Sequence, residues 1–347
     1  MFSKINKTKS YDSLIMSWSC FGDFVLISQS MKTLIDAGII KRGIIITHQK
    51  ELKNLLDPNE KINLLYPTQN IKDFYILLSM MFKRNIFVLH DMPSHNRFSK
   101  EVRLIMSVAL TIIRPSSKML LMLDEQFKAN ITTKISKEFA SDVVLFDKRN
   151  KIHISQYMLD LLFEAKIISK IICEYKIKLN EEVYAISSFG EYIAINPFAS
   201  SEDKSMSVDW YIDFINKFEK ISDKKIILLG SKKDKERAEK IVQNTKNVVS
   251  LCGQTSFREV LHVLKNSFAM INVDSGPTHY GAIYQKPQII LWGENKNFAY
   301  MPVHNPNAVF IFGSQAIRSE EVYQSEINFT KYADVHTVLE TCKSLGF

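Results

Sequence analysis

The sequence contains little cysteine and no long apolar run, and both absences exclude classes of protein. Its four cysteines are widely spaced and form no C-x-x-C pair. A disulfide framework or a cysteine-based zinc site is therefore disfavoured, and a reducing cytoplasm fits the composition. The most apolar windows, 74–82 and 104–113, fall well short of the ~20 residues that a membrane-spanning helix needs. The basic N-terminus lacks the apolar core of a signal peptide, so we expect a soluble cytoplasmic protein.

Glycine is also scarce, and its eleven positions exclude two common nucleotide-binding motifs. No pair of glycines fits G-x-G-x-x-G, and no G-x-x-x-x-G-K-[ST] occurs, which argues against NAD-dependent oxidoreductases and P-loop enzymes. Seven of the eight histidines show no H-E-x-x-H or similar spacing. We interpret those seven as structural, and the sequence predicts no zinc site.

Length and charge set the scale of the molecule. A chain of 347 residues is too long for one typical core and suggests two domains. Lysine and arginine (45) exceed aspartate and glutamate (37), so the formal net charge is +8. This excess favours acidic small molecules, membrane surfaces or nucleic acid as partners. No basic cluster interleaved with aromatic residues stands out, so nucleic acid ranks last.

Apolar strand-length runs alternate with amphipathic helix-length segments in both halves of the chain, which predicts parallel sheets. We expect an N-terminal domain over 1–180, a C-terminal domain over 191–325 and a final helix within 330–347, for which packing back towards the N-terminal domain is one option. The segment 153–178 reads as mostly helical. Strands are predicted at 14–17, 43–47, 62–66, 86–90, 118–123, 192–196, 225–229, 248–251, 268–273 and 288–292, and helices at 24–37, 71–82, 98–113, 208–220, 233–244, 256–265 and 333–345.

The first candidate site is the turn in SWSCFGDFVLIS, residues 17–28, where the first strand gives way to the first helix. Ligands of open α/β sheets bind beyond the carboxyl ends of strands, so Gly22 and Asp23 stand where a ligand would lie. Glycine permits close approach of a ligand. Asp23 has two interpretations that the residues alone leave open. It either caps the helix, for about 1 kcal/mol, or acts as a general base.

The second candidate site is DSGPTHYGA, residues 274–282, which follows a buried strand. The first amides of a helix beginning at Ser275 and Gly276 have no backbone partner and attract anions such as phosphate. His279, one turn in, is placed to donate to a phosphate or to a sugar hydroxyl. The alternative is that Asp274 or Ser275 only caps the helix and His279 is an ordinary surface residue.

These segments together resemble the lipopolysaccharide heptosyltransferases of glycosyltransferase family 9. The most specific match is GQTSFREVLHVLKNSFAMINVDSGPTHYGAIYQKPQIILWG, which contains the family's D-[ST]-G-x-x-H signature. The resemblance is strongest over 192–302, clear at 14–28 and weak over 50–190. It implies the α/β GT-B fold, in which two Rossmann-like doubly wound domains enclose an interdomain cleft.

The resemblance also implies a role for each site residue. Asp23 matches the proposed catalytic base, and Gly22 is the turn beside it. Lys204, in NPFASSEDKSMSVDWYIDF, matches the lysine at the donor phosphates. In IILLGSKKDKERAEKI, Glu236 is the better match to an acidic residue near the donor nucleoside, with Asp234 the alternative. The remaining implied donor-binding residues are Asp274, Ser275, Gly276 and His279.

The implied activity is inverting transfer of a sugar, heptose from ADP-heptose, onto a lipopolysaccharide core or related glycan. Since no Asp-x-Asp triplet occurs, we expect no metal and no cofactor besides the nucleotide-sugar substrate. An anionic glycolipid acceptor and contact with the inner-membrane surface would suit the positive charge. Met206-Ser207 and Glu294-Asn295 depart from the family's aromatic-Pro and Pro-Thr pairs, which leaves the sugar and the acceptor open. A nucleotide-sugar epimerase of the same fold and a non-catalytic sugar-nucleotide-binding protein are the alternatives.

Overall fold

The chain divides into two compact units, Met1–Lys178 and Leu179–Phe347, and each is described by itself. Several segments of the first unit lie outside the described residues, and one of them contains the whole of the predicted helix 98–113. The second is described almost throughout. The computed structural model describes residues 11–17, 21–47, 49–52, 55–66, 69–81, 86–91, 118–124, 142–146, 151–164, 168–186 and 189–347.

The first unit is built on a parallel sheet. Its described strands are β1 (Tyr11–Ser17), β2 (Ile40–Ile46), β3 (Ile62–Leu65), β4 (Ile86–Asp91), β5 (Lys118–Asp124) and β6 (Asp142–Phe146). Their order in the sheet is β3-β2-β1-β4-β5-β6. This strand order is that of doubly wound nucleotide-binding sheets. Strands are added on one side of β1 up to β3 and on its other side from β4 onwards, so the order reverses between β1 and β4 while the strands stay parallel. Five of these strands were predicted from the sequence, whereas β6 was not.

The first helix follows β1 at this point of reversal. The described helices of the unit are α1 (Phe21–Asp36), α2 (Ile71–Met81) and α3 (Ile154–Glu164). Helix α1 packs against β2 and α3, and its residues 24–30 are all buried. Ser30 Oγ donates to the carbonyl of Ser155 at 2.8 Å, and Ser155 Oγ donates to the carbonyl of Leu26 at 2.8 Å. This reciprocal pair satisfies two hydroxyls in a buried helix interface.

The predicted helical stretch 153–178 is wrong in its second half, because α3 ends at Glu164 and the described residues 168–178 are not helical. The described chain after it runs irregularly along α1 and α3, which supply side-chain acceptors to its amides. Cys173 N donates to Gln156 Oε1 at 2.7 Å, and Ile177 N donates to Gln29 Oε1 at 3.0 Å. These tertiary hydrogen bonds replace the helical ones, and nothing in the local pattern of apolar residues reports them.

The second unit repeats the same topology with one strand more. Its strands are β7 (Tyr192–Asn196), β8 (Lys225–Leu228), β9 (Val248–Ser250), β10 (Ala269–Val273), β11 (Gln288–Leu291), β12 (Ala308–Phe312) and β13 (Gln315–Arg318). The order is β13-β12-β11-β10-β7-β8-β9, parallel except for β13 against β12. The last two strands were not predicted. The sheet reverses direction between β7 and β10, so the loops after these strands border one crevice.

The helices of this unit pack against its sheet, and several of them contribute to its main hydrophobic core. The helices are α4 (Val208–Phe218), α5 (Lys235–Gln243), α6 (Phe257–Asn266), α7 (Gly276–Ile283) and α8 (Val335–Ser344). Val338, Cys342 and Phe347 join Phe214 of α4 in the main apolar cluster. The C-terminal helix, for which packing towards the first domain was one option, thus contributes to the core of the second unit. Among the residues described, none of the helices combines the length and apolar character needed to cross a membrane.

Gly253, in the loop after β9, is required by its backbone and by its surroundings. Its φ is +72°, and a Cβ there would lie 2.7 Å from the Cα of Lys232. We expect Gly253→Ala to destabilise the protein through the left-handed backbone, which costs about 1 kcal/mol or more, and through a clash with main chain that adds about 1–3 kcal/mol. Thermal and denaturant unfolding would measure the loss.

Gly346 is the matched control, because its φ is +76° and a Cβ there would meet nothing within 4 Å. Gly346→Ala is expected to lose only the backbone contribution. Equal losses of stability in the two variants would contradict the clash at Gly253.

Candidate functional site

The candidate site lies where the second sheet reverses direction. The strands β7, β10 and β11 are neighbours in this parallel sheet, so their carboxyl ends open on the same edge. The loop after β7 carries Lys204, the loop after β10 carries Asp274, and the loop after β11 carries Asn295. Three residues distant in sequence are thereby brought together by topology alone.

Asp274 is the centre of this cluster. Lys204 Nζ donates to Asp274 Oδ2 at 2.6 Å, and Asn295 Nδ2 donates to the same oxygen at 2.7 Å. The Asp274 side chain is 10% exposed and that of Lys204 is 33% exposed. Partial burial strengthens this ion pair relative to a surface pair, and it fixes the lysine, which ends a short 3-10 turn (Glu202–Lys204), next to the start of α7.

Helix α7 begins without a side-chain cap. Ser275 is its N-cap residue, but no side-chain hydrogen bond caps the helix there. The Ser275 hydroxyl instead accepts from Asn196 Nδ2 at 2.9 Å and donates to the carbonyl of Val273 at 3.2 Å. The carboxylate of Asp274 is held by Lys204 and Asn295, as above. The structure therefore does not use either side chain in the way that the capping interpretation requires, and Gly276 stands at the first helical position with Pro277 behind it.

His279 is buried and neutral. It is 4% exposed, and among the described residues no group forms a hydrogen bond with its Nδ1. Burial lowers the pKa of His279 from 6.5 to about 4, an effect that Asp274 opposes and Lys204 reinforces. His304 is a second histidine in the same surroundings, and burial together with His279 lowers its pKa to about 3. At neutral pH both imidazoles are therefore uncharged, and His279 is available to the site as a neutral donor or acceptor rather than as a cation.

The two acidic candidates after β8 differ in their surroundings. Asp234 is buried, and its Oδ2 accepts from the backbone amide of Ser231 at 2.9 Å and from its hydroxyl at 2.6 Å. Its Oδ1 accepts from Arg237, whose guanidinium lies 4.1 Å from the ring centre of Phe198. Asp234 thus serves the local fold. Glu236 is exposed in the first turn of α5, and its role at the donor nucleoside stays a prediction.

The Gly22-Asp23 turn, predicted to precede the first helix, lies in the first unit and is part of that helix, because α1 begins at Phe21. Both residues lie in the first turn of α1, directly beyond the carboxyl end of β1, and Gly22 is buried. The side chain of Asp23 lies outside the described part of the structure. Its role as a base stays a prediction that rests on position and on the resemblance.

Sequence reasoning missed Asn196, Asn295 and His304. Asn196 ends the buried strand β7, and a polar residue at such a strand end is a signal that could have been used. Asn295 was noted only as a departure from the family's pattern, and His304 was interpreted as structural. The searched side chains of the described residues include no group of three or more histidine, cysteine, aspartate or glutamate residues that could hold a metal ion.

Comparisons with known proteins agree with this geometry. The model of glycosyltransferase family 9 (heptosyltransferase) matches residues 124–327, more than half of the chain. No curated protein matches the sequence. The match includes Lys204, Asp274, His279 and Asn295, and it begins after the Gly22-Asp23 turn.

Solved structures resemble this chain over most of its length. A family 9 glycosyl transferase from Veillonella parvula superimposes with a TM-score of 0.71 at 14% identity, over 97% of this chain and 98% of that one. ADP-heptose lps heptosyltransferase II of E. coli gives 0.65 at 18% identity, over 96% and 98%. E. coli heptosyltransferase WaaC with ADP gives 0.57 at 14% identity, over 90% and 98%. These likenesses confirm the predicted α/β GT-B fold class.

The buried neutral histidines predict how stability depends on pH. The unfolded chain binds a proton at His279 as the pH falls through about 6.5, whereas the folded chain does so only near pH 4. The free energy of unfolding should therefore fall between pH 6.5 and 4, by up to about 1.4 kcal/mol per pH unit for each such histidine. His304 acts in the same direction.

His279→Gln should reduce this slope, because it removes one of the titrating groups. Urea unfolding at a series of pH values measures the slope for both proteins. An unchanged slope in the variant would contradict the buried neutral state of His279, whatever the absolute stability of the variant.

Proposed function

This chain belongs to glycosyltransferase family 9, and from that membership we propose that it transfers heptose from ADP-heptose, with inversion and without a metal ion. The acceptor in this proposal is a lipopolysaccharide core or a related glycan. The observation that carries the proposal is the Lys204–Asp274 pair at the uncapped start of α7, where a diphosphate would meet a cation and helix amides together.

The proposed donor rests on the chemistry of this site and on the names of similar proteins. A helix N-terminus attracts phosphate through its amides and its dipole, and a lysine adds a full positive charge. Two of the similar solved structures are an ADP-heptose heptosyltransferase and a heptosyltransferase with ADP. We therefore assign the diphosphate to Lys204, Ser275 and Gly276, and the nucleoside side to Glu236.

The leaving group of the reaction is a nucleoside diphosphate, whose negative charge grows as the bond to the sugar breaks. Donors arranged before the reaction stabilise this charge without reorganisation. Lys204 and the first amides of α7 supply these donors, which is the work that a divalent metal does in other enzymes. His279, neutral at physiological pH, supports the same oxygens or a sugar hydroxyl as a hydrogen-bond partner.

Asp23 is the proposed general base. Removing the proton from the acceptor hydroxyl makes that oxygen a nucleophile, and one direct displacement then inverts the anomeric carbon. The turn that holds Asp23 is at the point of reversal of the first sheet, which is the position where open α/β sheets place their ligands.

An anionic glycolipid at the inner-membrane surface is the proposed acceptor environment, which makes the enzyme cytoplasmic and peripheral. The net charge of +8 would attract such a surface. In the first unit, α2 exposes Ile71 (68%), Tyr75 (61%) and Ile76 (45%). Exposed apolar side chains on one helix suit an interfacial contact. In the apolar segment 74–82, Phe74 is half-buried, and residue 82 and the side chains of 77, 78, 80 and 81 lie outside the described residues.

Binding of nucleoside diphosphates tests the donor. We expect ADP to raise the melting temperature more than UDP or GDP, equally well with EDTA present. Lys204→Ala should weaken ADP binding by about tenfold or more, since hydrogen bonds to charged groups contribute about 1.5–3 kcal/mol. Isothermal titration calorimetry gives the affinities.

The matched control is Lys217→Ala, because Lys217 also pairs with an aspartate, Asp213, but on the exposed face of α4. ADP affinity should not change in that variant. A preference for UDP or GDP would remove the ADP-heptose donor and leave glycosyl transfer, and unchanged ADP affinity in Lys204→Ala would remove its phosphate role.

Catalysis tests the base. Asp23→Asn should lower kcat by about 10²–10⁴-fold, the usual contribution of general base catalysis, while ADP affinity stays the same. Asp36→Asn, at the other end of α1, where the carboxylate pairs with Lys32 on the surface, should leave kcat unchanged. Turnover is followed as release of ADP with and without a glycan acceptor.

Near-normal turnover by folded Asp23→Asn protein would contradict the assignment of the base. Conversion of the donor without an acceptor would favour the epimerase alternative instead. Donor binding with no turnover under any acceptor would favour a non-catalytic binding protein.

A further inference from the structure

Asn295 is a partly buried contact of the site, and the proposed reaction gives it no role. Its Nδ2 donates to Asp274 Oδ2 at 2.7 Å. Its own backbone carbonyl accepts from Trp292 Nε1 at 2.6 Å, and Trp292 is 2% exposed. The large indole is fixed in the core, so it anchors the loop after β11 and holds the Asn295 amide at a defined distance from the carboxylate.

Asp274 therefore has two different donors on one oxygen. Lys204 is charged and reaches it from the loop after β7, at 2.6 Å, and Asn295 is neutral and reaches it from the loop after β11. Asp274 directly follows β10, the strand between β7 and β11, and its side chain is 10% exposed. A carboxylate in this position needs partners, because leaving a largely buried charge unpaired is strongly unfavourable.

A diphosphate at the start of α7 changes the demands on these groups. It adds negative charge beside Asp274 and competes with that carboxylate for the ammonium group of Lys204. If Lys204 were the single donor to Oδ2, every hydrogen bond that it gave to phosphate would be taken from Asp274. Asn295 carries no charge and is tied to Trp292, so it stays on the carboxylate when the lysine turns towards the ligand.

We propose that Asn295 is a positioning residue for the donor diphosphate: it keeps Asp274 hydrogen-bonded and in place, and so releases Lys204 to bind phosphate. The inference rests on the proposed function, since it takes the ligand of this site to be a nucleoside diphosphate. It acts on the phosphates and not on the nucleoside, which gives it a specific signature in binding.

Asn295→Leu tests the proposal by removing the amide while retaining a side chain of similar size. The expected result is roughly tenfold weaker binding of ADP, the equivalent of one hydrogen bond to a charged group, with unchanged binding of adenosine. The KM for the donor should rise by a similar factor. Asn307→Leu is the matched control, because its amide donates to the backbone carbonyl of Gln285 on the surface. That variant should bind both ligands as the wild type does.

A second pair of variants separates this role from a purely structural one. In an Asp274→Asn background there is no carboxylate to hold, so adding Asn295→Leu should change ADP affinity by less than about twofold. A loss of adenosine binding equal to the loss of ADP binding would overturn the proposal, and so would an undiminished effect of Asn295→Leu in the Asp274→Asn background.

The wild-type titration distinguishes the two levels of inference. Wild-type protein that binds no nucleoside diphosphate would overturn the proposed function together with the role of Asn295. Wild-type protein that binds ADP, with Asn295→Leu binding it equally well, would overturn the role of Asn295 alone.

Discussion

One carboxylate oxygen, Oδ2 of Asp274, connects the loops after three adjacent strands of the second sheet. Lys204 and Asn295 reach it from either side at 2.6 and 2.7 Å. These hydrogen bonds exist only because a parallel sheet opens all of its carboxyl ends on one edge and because the order of strands reverses at β7 and β10. The position of the lysine, and hence the charge at the start of α7, depends on this single group.

The close packing of helix α7 against the sheet determines the protonation state of His279. Helix α7 lies so near the sheet that a Cβ on Gly281 would come within 2.8 Å of Met270 Sδ. A helix pressed against the strands in this way brings its first turn to the end of β10, and it also removes His279 from water. Burial favours the uncharged imidazole, so Lys204 acts beside a neutral ring. The packing of α7 against the sheet thus both positions the first turn of the helix and keeps His279 uncharged.

Much of the fold and part of the candidate site could be predicted from the sequence, because they depend on local patterns of residues. Alternating apolar segments gave both doubly wound sheets, and DSGPTHYGA pointed to a helix start with unsatisfied amides. What could not be predicted depends on contacts between distant residues. The amides of 173 and 177 are bound by Gln156 and Gln29, so a segment with helical periodicity runs irregularly. Asn295 is 21 residues from Asp274, and its importance is visible only when β10 and β11 pair.

The Lys204–Asp274 pair also limits what the proposed site can hold. An anion with one negative charge competes with Asp274 for the single ammonium group of Lys204. The favourable interaction that it forms with Lys204 is therefore largely offset by the weakening of the Lys204–Asp274 pair. A diphosphate carries more charge and more acceptor oxygens, so it can engage the lysine and the amides of α7 at once. A neutral third partner makes this exchange less costly, since the carboxylate then keeps a hydrogen bond throughout. We therefore expect the proposed site to prefer a diphosphate over smaller anions because Lys204 is already paired before the ligand arrives, and not because of the lysine alone.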